Sequence, residues 1–367
     1  MDDSAARQAV ERAEREPLLG HRAAPVRAAI DAAAPLLDAT PSPELRARLL
    51  LRLAQVAMVE TDYEAADQAL AAAARHAPDA HELRMLGGVR ACRVAIRRGP
   101  DGRAVAEPTL RMAAEQLAPG ASAVAAELAL AIGELELHAE SADAAALDAL
   151  AELRDAPDLD TRFTAHQLVA AHALARGDLA PALASLRAVV AIARDAASPA
   201  DEIEARIALA AALAARGDAI ASEDAAHQVA AARQRAKEHG LAELEHAALL
   251  AEAALLADAR KTAPAIDRVL ELARAAAAKQ DAAQYVAAVG IMAELYARSG
   301  DHVSAFRTIA ESHHALSRAT GSDTTPLFRP LLARLRDRIG EAKLTEIAAA
   351  VEHANRLADQ ILDSKKK

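Results

Sequence analysis

The chain is 367 residues long and carries 53 acidic against 43 basic side chains, a net charge of −10 at pH 7. That balance argues against a general nucleic-acid binder, which relies on a basic surface, and an aromatic content of 2% leaves little base-stacking platform. No apolar run reaches the length of about 18 residues that a membrane span needs, the N-terminus lacks a signal-peptide core, and the single cysteine, Cys92, has no partner for an internal disulfide, so a cytoplasmic location is expected.

The hydrophobic residues are mainly alanine and leucine, both strong helix formers, and β-branched runs are scarce, so an all-α protein is expected. Residues 4–16 and 23–37 read as two helices that cap the rest of the chain. Thr40-Pro41-Ser42-Pro43 then breaks the chain, with Ser42 as N-cap and Pro43 at the first helical position. From there small residues recur in register. Ala54, Gly133, Ala170, Ala210, Ala293 and Ala333 each follow an apolar residue, and twelve positions later stand Ala66, Ala145, Ala182, Ser222, Ala305 and Thr345. A small side chain at both points lets the two helices of a hairpin approach closely. Gly177-Asp178, Gly217-Asp218 and Gly300-Asp301 follow at a fixed distance, where the glycine ends one helix and the aspartate caps the next. Pro78 and Pro157 stop second helices. A less regular unit reads as a helix over 79–98, a four-residue turn Gly99-Pro100-Asp101-Gly102, and a helix to about 117. Further on, Thr262 is the expected N-cap of a helix with Pro264 in its first turn, and residues 361–367 read as a frayed basic tail.

This pattern, with a period near 40 residues, resembles the tetratricopeptide repeat: an apolar residue before a small one, an alanine twelve residues on, and a later proline. The resemblance covers residues 43–360. It implies a right-handed α-solenoid of about eight antiparallel helical hairpins behind an N-terminal helical cap of residues 1–42, with a ligand groove lined by the first helix of each hairpin.

Catalytic motifs are absent from the sequence, and no cofactor is expected. Glu243 with His246 and Glu311 with His314 have metal-ligand spacing, but the register sets them two units apart, so no metal centre is expected from them. Cys92 reads as a small packed residue. Arg90, Arg93 and Arg97 form a short basic stripe that an acidic partner could meet. In the register of the resemblance, Gln55, Glu134, Gln167 and Glu294 point toward the groove. The basic cluster with which some family members clamp an acidic carboxyl-terminal peptide has no counterpart at Leu51, Leu130, Gln167, Ile207 and Gly290, so a basic or apolar peptide is the expected ligand. The expected function is that of a non-catalytic adaptor or scaffold holding a protein or peptide partner, with no nucleic acid or membrane. A regulatory sensor solenoid that binds a small signal or peptide and controls a transcription or signalling partner is the alternative, and a self-assembling structural subunit is a third.

Overall fold

The structure, a computed structural model, describes residues 3–39, 42–117, 123–137 and 144–364. Among these the chain forms eighteen α-helices and no strand, and within each of two units consecutive helices pack as neighbours in the manner of a tetratricopeptide-like solenoid. Thr40, Pro41 and the basic tail Lys365 to Lys367 lie outside the described residues, as does the side chain of Ala145. The helices fall into two units, Met1–Asp218 and Ala219–Lys367.

The first unit runs α1 (Asp3–Arg15), α2 (Ala23–Ala39), α3 (Pro43–Val59), α4 (Tyr63–His76), α5 (His81–Arg98), α6 (Pro100–Gln116), α7 (Ala123–Glu136), α8 (Ala144–Glu152), a 3₁₀ turn (Leu153–Asp155), α9 (Leu159–Ala175), α10 (Leu179–Asp195) and α11 (Pro199–Arg216). The second runs α12 (Ala219–Glu238), α13 (Ala242–Asp258), α14 (Thr262–Ala278), α15 (Ala282–Arg298), α16 (His302–Thr320), α17 (Thr325–Ile339) and α18 (Glu341–Ser364). Ala54 and Ala66, on the touching helices α3 and α4, are both fully buried, and Ala170 and Ala182 on α9 and α10 are similarly enclosed. Ser222 and Thr345 depart from this pattern: both are exposed, and the Thr345 hydroxyl donates to the Glu341 carbonyl of its own helix.

The 40-residue period is two shorter steps. Helices start at 159, 179 and 199 in the first unit and at 242, 262, 282 and 302 in the second. The turns between them share one hydrogen-bond pattern. In each, one residue is left-handed, its N–H reaches back three residues, and the next N–H reaches back five: Asp178 to Ala173 (2.8 Å), Ser198 to Ala193 (2.9 Å), Lys261 to Leu256 (2.8 Å), Asp281 to Ala276 (2.9 Å) and Asp301 to Tyr296 (2.9 Å). These are Schellman closures, which satisfy the last carbonyls of one helix while starting the next. Gly177 and Gly300 take the left-handed slot, but so do Thr61, Ala197, Arg260 and Gln280, with φ between 52° and 59°. Because the residue after the slot becomes the N-cap, Lys261 and not Thr262 stands at that position in α14. Asp301 does cap its helix, accepting from Ser304 N at 2.9 Å. Asp178 occupies the N-cap without a side-chain cap bond, its carboxylate turned to Arg176 at 3.2 Å, and Asp218 pairs with Arg216 at 2.9 Å.

Between α5 and α6 the expected four-residue turn is a single residue. Gly99 (φ 122°, ψ −162°) reverses the chain alone, Pro100 opens α6, and Asp101 and Gly102 already lie inside it. Proline suits that position because its missing N–H has no helical acceptor there. So tight a reversal brings backbone against backbone: a Cβ on Gly102 would collide with the Ala95 carbonyl oxygen. Gly102→Ala is therefore expected to cost about 3 kcal/mol, the upper end of overpacking penalties, read as a lowered urea midpoint. An unchanged midpoint would show that α6 can shift away at no cost.

Candidate functional site

In the first unit α1, α3, α5, α7 and α9 lie side by side, each in contact with the next. A ladder of side-chain bonds ties them at the repeat spacing. Arg52 of α3 donates to Ala13 O of α1 (3.2 Å), Arg90 of α5 to Leu51 O of α3 (2.9 Å), and His172 of α9 bonds Gly133 O of α7 (2.9 Å), each pair 39 residues apart. A carbonyl can only accept, so His172 carries its proton on Nε2. The face these helices share forms a groove of about 750 Å³, with Gln55, Thr161 and Thr164 at its polar positions and Leu51, Leu86 and Leu130 at apolar ones.

Its walls and floor carry five arginines beside six carboxylates, those of Glu14, Glu44, Glu82, Glu127, Asp158 and Asp160. Arg48, Arg52, Arg90, Arg93 and Arg97 all line it. Arg48 is matched by Glu14 across α1 and α3. Arg93, on α5, donates to Glu127 of α7 at 2.6 Å and also to Glu134, which accepts from Arg97 at 2.8 Å. Arg90, Arg93, Glu127 and Glu134 are buried. Burial works against every one of these charges, yet in the Arg93 cluster pairing wins. The pull of Glu134 and Glu127 outweighs desolvation and holds the Arg93 guanidinium above its ordinary range, while Arg93 and then Arg97 hold the Glu134 carboxyl at about 2. Arg90 is the exception, and desolvation leaves it below the usual arginine value.

The Glu134 shift has a signed consequence. Its folded-state pKa of about 2 lies below its ordinary value of 4.5, so its stabilising contribution is complete above pH 4.5 and is lost as the pH falls toward 2. Glu134→Gln is expected to flatten the stability profile across that window, measured as urea midpoints from pH 7 downward. An identical acid slope in both proteins would mean that Glu134 is not the carboxylate responsible.

The residues singled out in the sequence are thus distributed unevenly. Gln55 lies on the groove and accepts from Arg52 Nη1 at 2.8 Å. Glu134 lies beneath it, paired with the arginines that the sequence presents as a separate stripe. Gln167 is exposed and does not line the groove, and Glu294 belongs to the second unit. There, α13, α15 and α17 line a more apolar groove of about 910 Å³ with Leu250, Ala254, Ala287, Gly290 and Leu331. At its edge Glu294 accepts from Arg298 (2.9 Å) and Arg338 (2.8 Å).

A second set of contacts, invisible to sequence reasoning, fastens the loop between α1 and α2 to helices more than a hundred residues away. Leu18 N donates to Asp160 at 2.7 Å, and His21 N donates to both oxygens of Asp201, at 3.1 and 3.2 Å. Arg22 reaches the Ala196 carbonyl, and His21 Nε2 lies 2.9 Å from Glu204. Arg52 completes the junction by holding Asp160 at 2.8 Å while donating to Ala13 O and Glu16 O at the end of α1. Burial raises the Asp160 and Asp201 carboxyls above their ordinary values despite these donors.

The remaining candidates are structural in their surroundings. Cys92 is buried among Val89, Ile96, Ala106 and Leu110, and burial pushes its thiol up, away from reactivity. His246 bonds Gln284 at 2.8 Å, whereas Glu311 and His314 sit with Ser317 and Arg318 on α16. Among the described residues no group of three or more His, Cys, Asp or Glu is arranged to hold a metal ion. None of the described helices is long and apolar enough to cross a membrane.

No protein-family model and no curated protein matches the chain. Solved structures do. The chain is similar to the apo form of RapI (TM-score 0.62, 11% identity, 85% of this chain and 88% of that one). It is also similar to a Rap protein complexed with competence and sporulation factor (TM-score 0.52, 15% identity, 100% and 98%). A third match is a signal transduction ATPase with numerous domains from Pyrococcus horikoshii, carrying a tetratricopeptide repeat sensor (TM-score 0.52, 15% identity, 92% of this chain). Of that larger protein the match spans 54%. At such identities the likeness establishes the helical-repeat fold.

Proposed function

We propose that this solenoid is a non-catalytic adaptor that holds a protein or peptide partner, and that the groove of the first unit is the surface it uses. The observation that carries the reading is the construction of that groove. Five helices are pinned to one another by polar bonds, at a 39-residue spacing for three of the four junctions and through the Arg93 and Arg97 ion pairs at the fourth, and the face they share presents Gln55, Thr161 and Thr164 beside leucines. Such a face is preorganised, so a partner need not bear the cost of ordering it. The apolar groove of the second unit offers a second contact area of a different character.

A sensor role is the second reading, favoured by two of the solved neighbours. One is held in complex with a factor, and the other carries its repeat as a sensor. Carried to this chain, the same groove would take a signal and control a partner through the fold.

The test is affinity purification from the host with the wild-type chain, with Thr164→Arg in the groove, and with Ala191→Arg on the exposed face of α10 as control. Partners retained by wild type and control but lost from Thr164→Arg are the expected result. Identical recovery from all three would remove the groove from the argument.

A further inference from the structure

Among the described residues four arginines have a buried Nε without a hydrogen-bond partner: Arg90, Arg93, Arg162 and Arg233. Three of them are held through their other nitrogens. Arg90 donates to Leu51 O and pairs with Glu127, Arg93 donates to Glu127 and Glu134, and Arg233 donates to Glu252 and Glu271. Arg162, in α9, is held through none: among the described residues its guanidinium makes no hydrogen bond and no ion pair. One turn further along α9 stands His166, whose Nδ1 is buried and also without a partner.

Four residues apart on one helix, Arg162 and His166 share a face, with about 5–6 Å between Cβ atoms. The 3₁₀ turn Leu153–Asp155 packs against α9 and brings a third cationic residue, Arg154, whose Nε donates to Ala151 O at 3.0 Å and whose guanidinium pairs with no described carboxylate. All three side chains are half-buried. Burial first, and then Arg154 and Arg162, hold the His166 imidazole below its ordinary pKa against the pull of Asp155, which is exposed and bonds none of the three. The acids that begin α9 are committed elsewhere. Asp158 caps the helix through Thr161 N at 2.8 Å, Asp160 is held by Arg52, and both line the groove. Thr164 of the groove lies two residues from Arg162 and two from His166, about 200° of helix rotation away, so the cluster faces the other side of α9. Arg162 also stands in the first turn of α9, where the helix dipole disfavours a cation and favours an anion. Partly buried positive charge without a counter-charge is costly unless an anion joins it.

We propose that Arg154, Arg162 and His166 form an anion site on the side of α9 turned from the groove, and that it takes a phosphoryl group, as free phosphate or as the phosphate of a small ester. A guanidinium fork grips two phosphate oxygens at once, and the two forks come from different elements. An imidazole N–H adds a third donor. Three donors set around one point suit the several oxygens of a tetrahedral anion, whereas a planar carboxylate is already satisfied by a single fork. The site stands whether or not the groove is the partner surface.

Inorganic phosphate is titrated into the full chain at constant ionic strength while the ring signals of His166, assigned by their loss in His166→Gln, are followed by NMR. A saturable shift is expected, at least tenfold weaker in affinity in Arg162→Gln and unchanged in Arg274→Gln, which removes an exposed arginine of α14 and controls for general charge. Arg162 has no side-chain bond to lose, so the Tm of Arg162→Gln should match wild type without phosphate and lack the rise that phosphate gives wild type. Arg162→Lys keeps the charge and the apolar stem but not the fork, and it too should bind at least tenfold more weakly. His166 signals that phosphate leaves in place, or equal affinity in wild type and Arg162→Lys, overturn the site. Acetate that shifts His166 at the same concentrations as phosphate overturns the phosphoryl assignment. Glycerol phosphate separates the two sources: tighter binding than inorganic phosphate assigns the site to an ester, and weaker binding assigns it to the free ion.

Discussion

Glu134→Leu is expected to lower the unfolding free energy by about 3–5 kcal/mol, the range for removing one partner from a buried ion pair. Glu134 accepts from both Arg93 and Arg97, so its loss leaves three arginines facing Glu127 alone. The volume of the side chain is nearly kept, which separates the charge effect from a cavity effect. A double-mutant cycle with Arg93→Met makes the assignment specific. Removing both ends should cost less than the two single losses added together, by about 0.5–3 kcal/mol, because the second substitution deletes a charge that the first left bare. Strict additivity in urea unfolding would mean that the 41-residue reach between α5 and α7 contributes no coupling. Partial rescue by Arg90→Met in the Glu134→Leu background follows from the same counting, since either route removes surplus positive charge.

The fold was legible because its marks are local. Small residues twelve apart and glycine before aspartate are short-range patterns, and Ala54, Ala66, Ala170 and Ala182 are all buried in hairpins whose two helices touch, α3 with α4 and α9 with α10. What stayed hidden was the shorter step beneath the 40-residue period. Thr61, Ala197, Arg260 and Gln280 hold the same left-handed slot as Gly177 and Gly300, and none announces itself by residue type. A non-glycine residue there costs about 1 kcal/mol, which the two back-reaching N–H bonds of the closure offset. The excess of three residues in the interval between Ala210 and Ala293 has an equally plain origin: α12 is 20 residues long where α13, α14 and α15 are 17.

The site was legible in residue type and not in pairing. Arg90, Arg93 and Arg97 were visible as a stripe and Glu134 as a groove position, but not as neighbours. One signal was available. Glu127 and Glu134 are spaced as the outer two arginines are, and each acid lies one repeat, 37 residues, beyond Arg90 or Arg97. Opposite charges separated by the repeat length meet across successive first helices. Arg233 and Glu271, 38 residues apart, do the same between α12 and α14. The α1–α2 loop carries no such periodicity, since its contacts with Asp160 and Asp201 span 142 and 180 residues and depend on how the helices of the first unit curve.

That junction gives the second large effect. Arg52→Ala is expected to cost about 3–5 kcal/mol, because the side chain is buried and its donors serve Ala13 O, Glu16 O, Gln55 and Asp160 at once. Removing it strands Asp160 with only the Leu18 N–H, in a position where burial already raises its pKa. Asp160→Asn should be milder, since the amide oxygen can still accept from Leu18 and no buried anion is left behind. The pH dependence separates the two further. Asp160 has a folded pKa above its ordinary 3.8, so keeping it ionised weakens the fold above that range, and the penalty fades as the pH falls through the folded value. The stability deficit of Arg52→Ala should therefore shrink on acidification, opposite in sign to the effect of Glu134. Hydrogen exchange locates the damage: amides of α1 and of the loop at Leu18 and His21 should lose protection before those of α9. Uniform loss across the first unit, or a deficit that grows in acid, would show that Arg52 supports the core as a whole and does not fasten the α1–α2 loop.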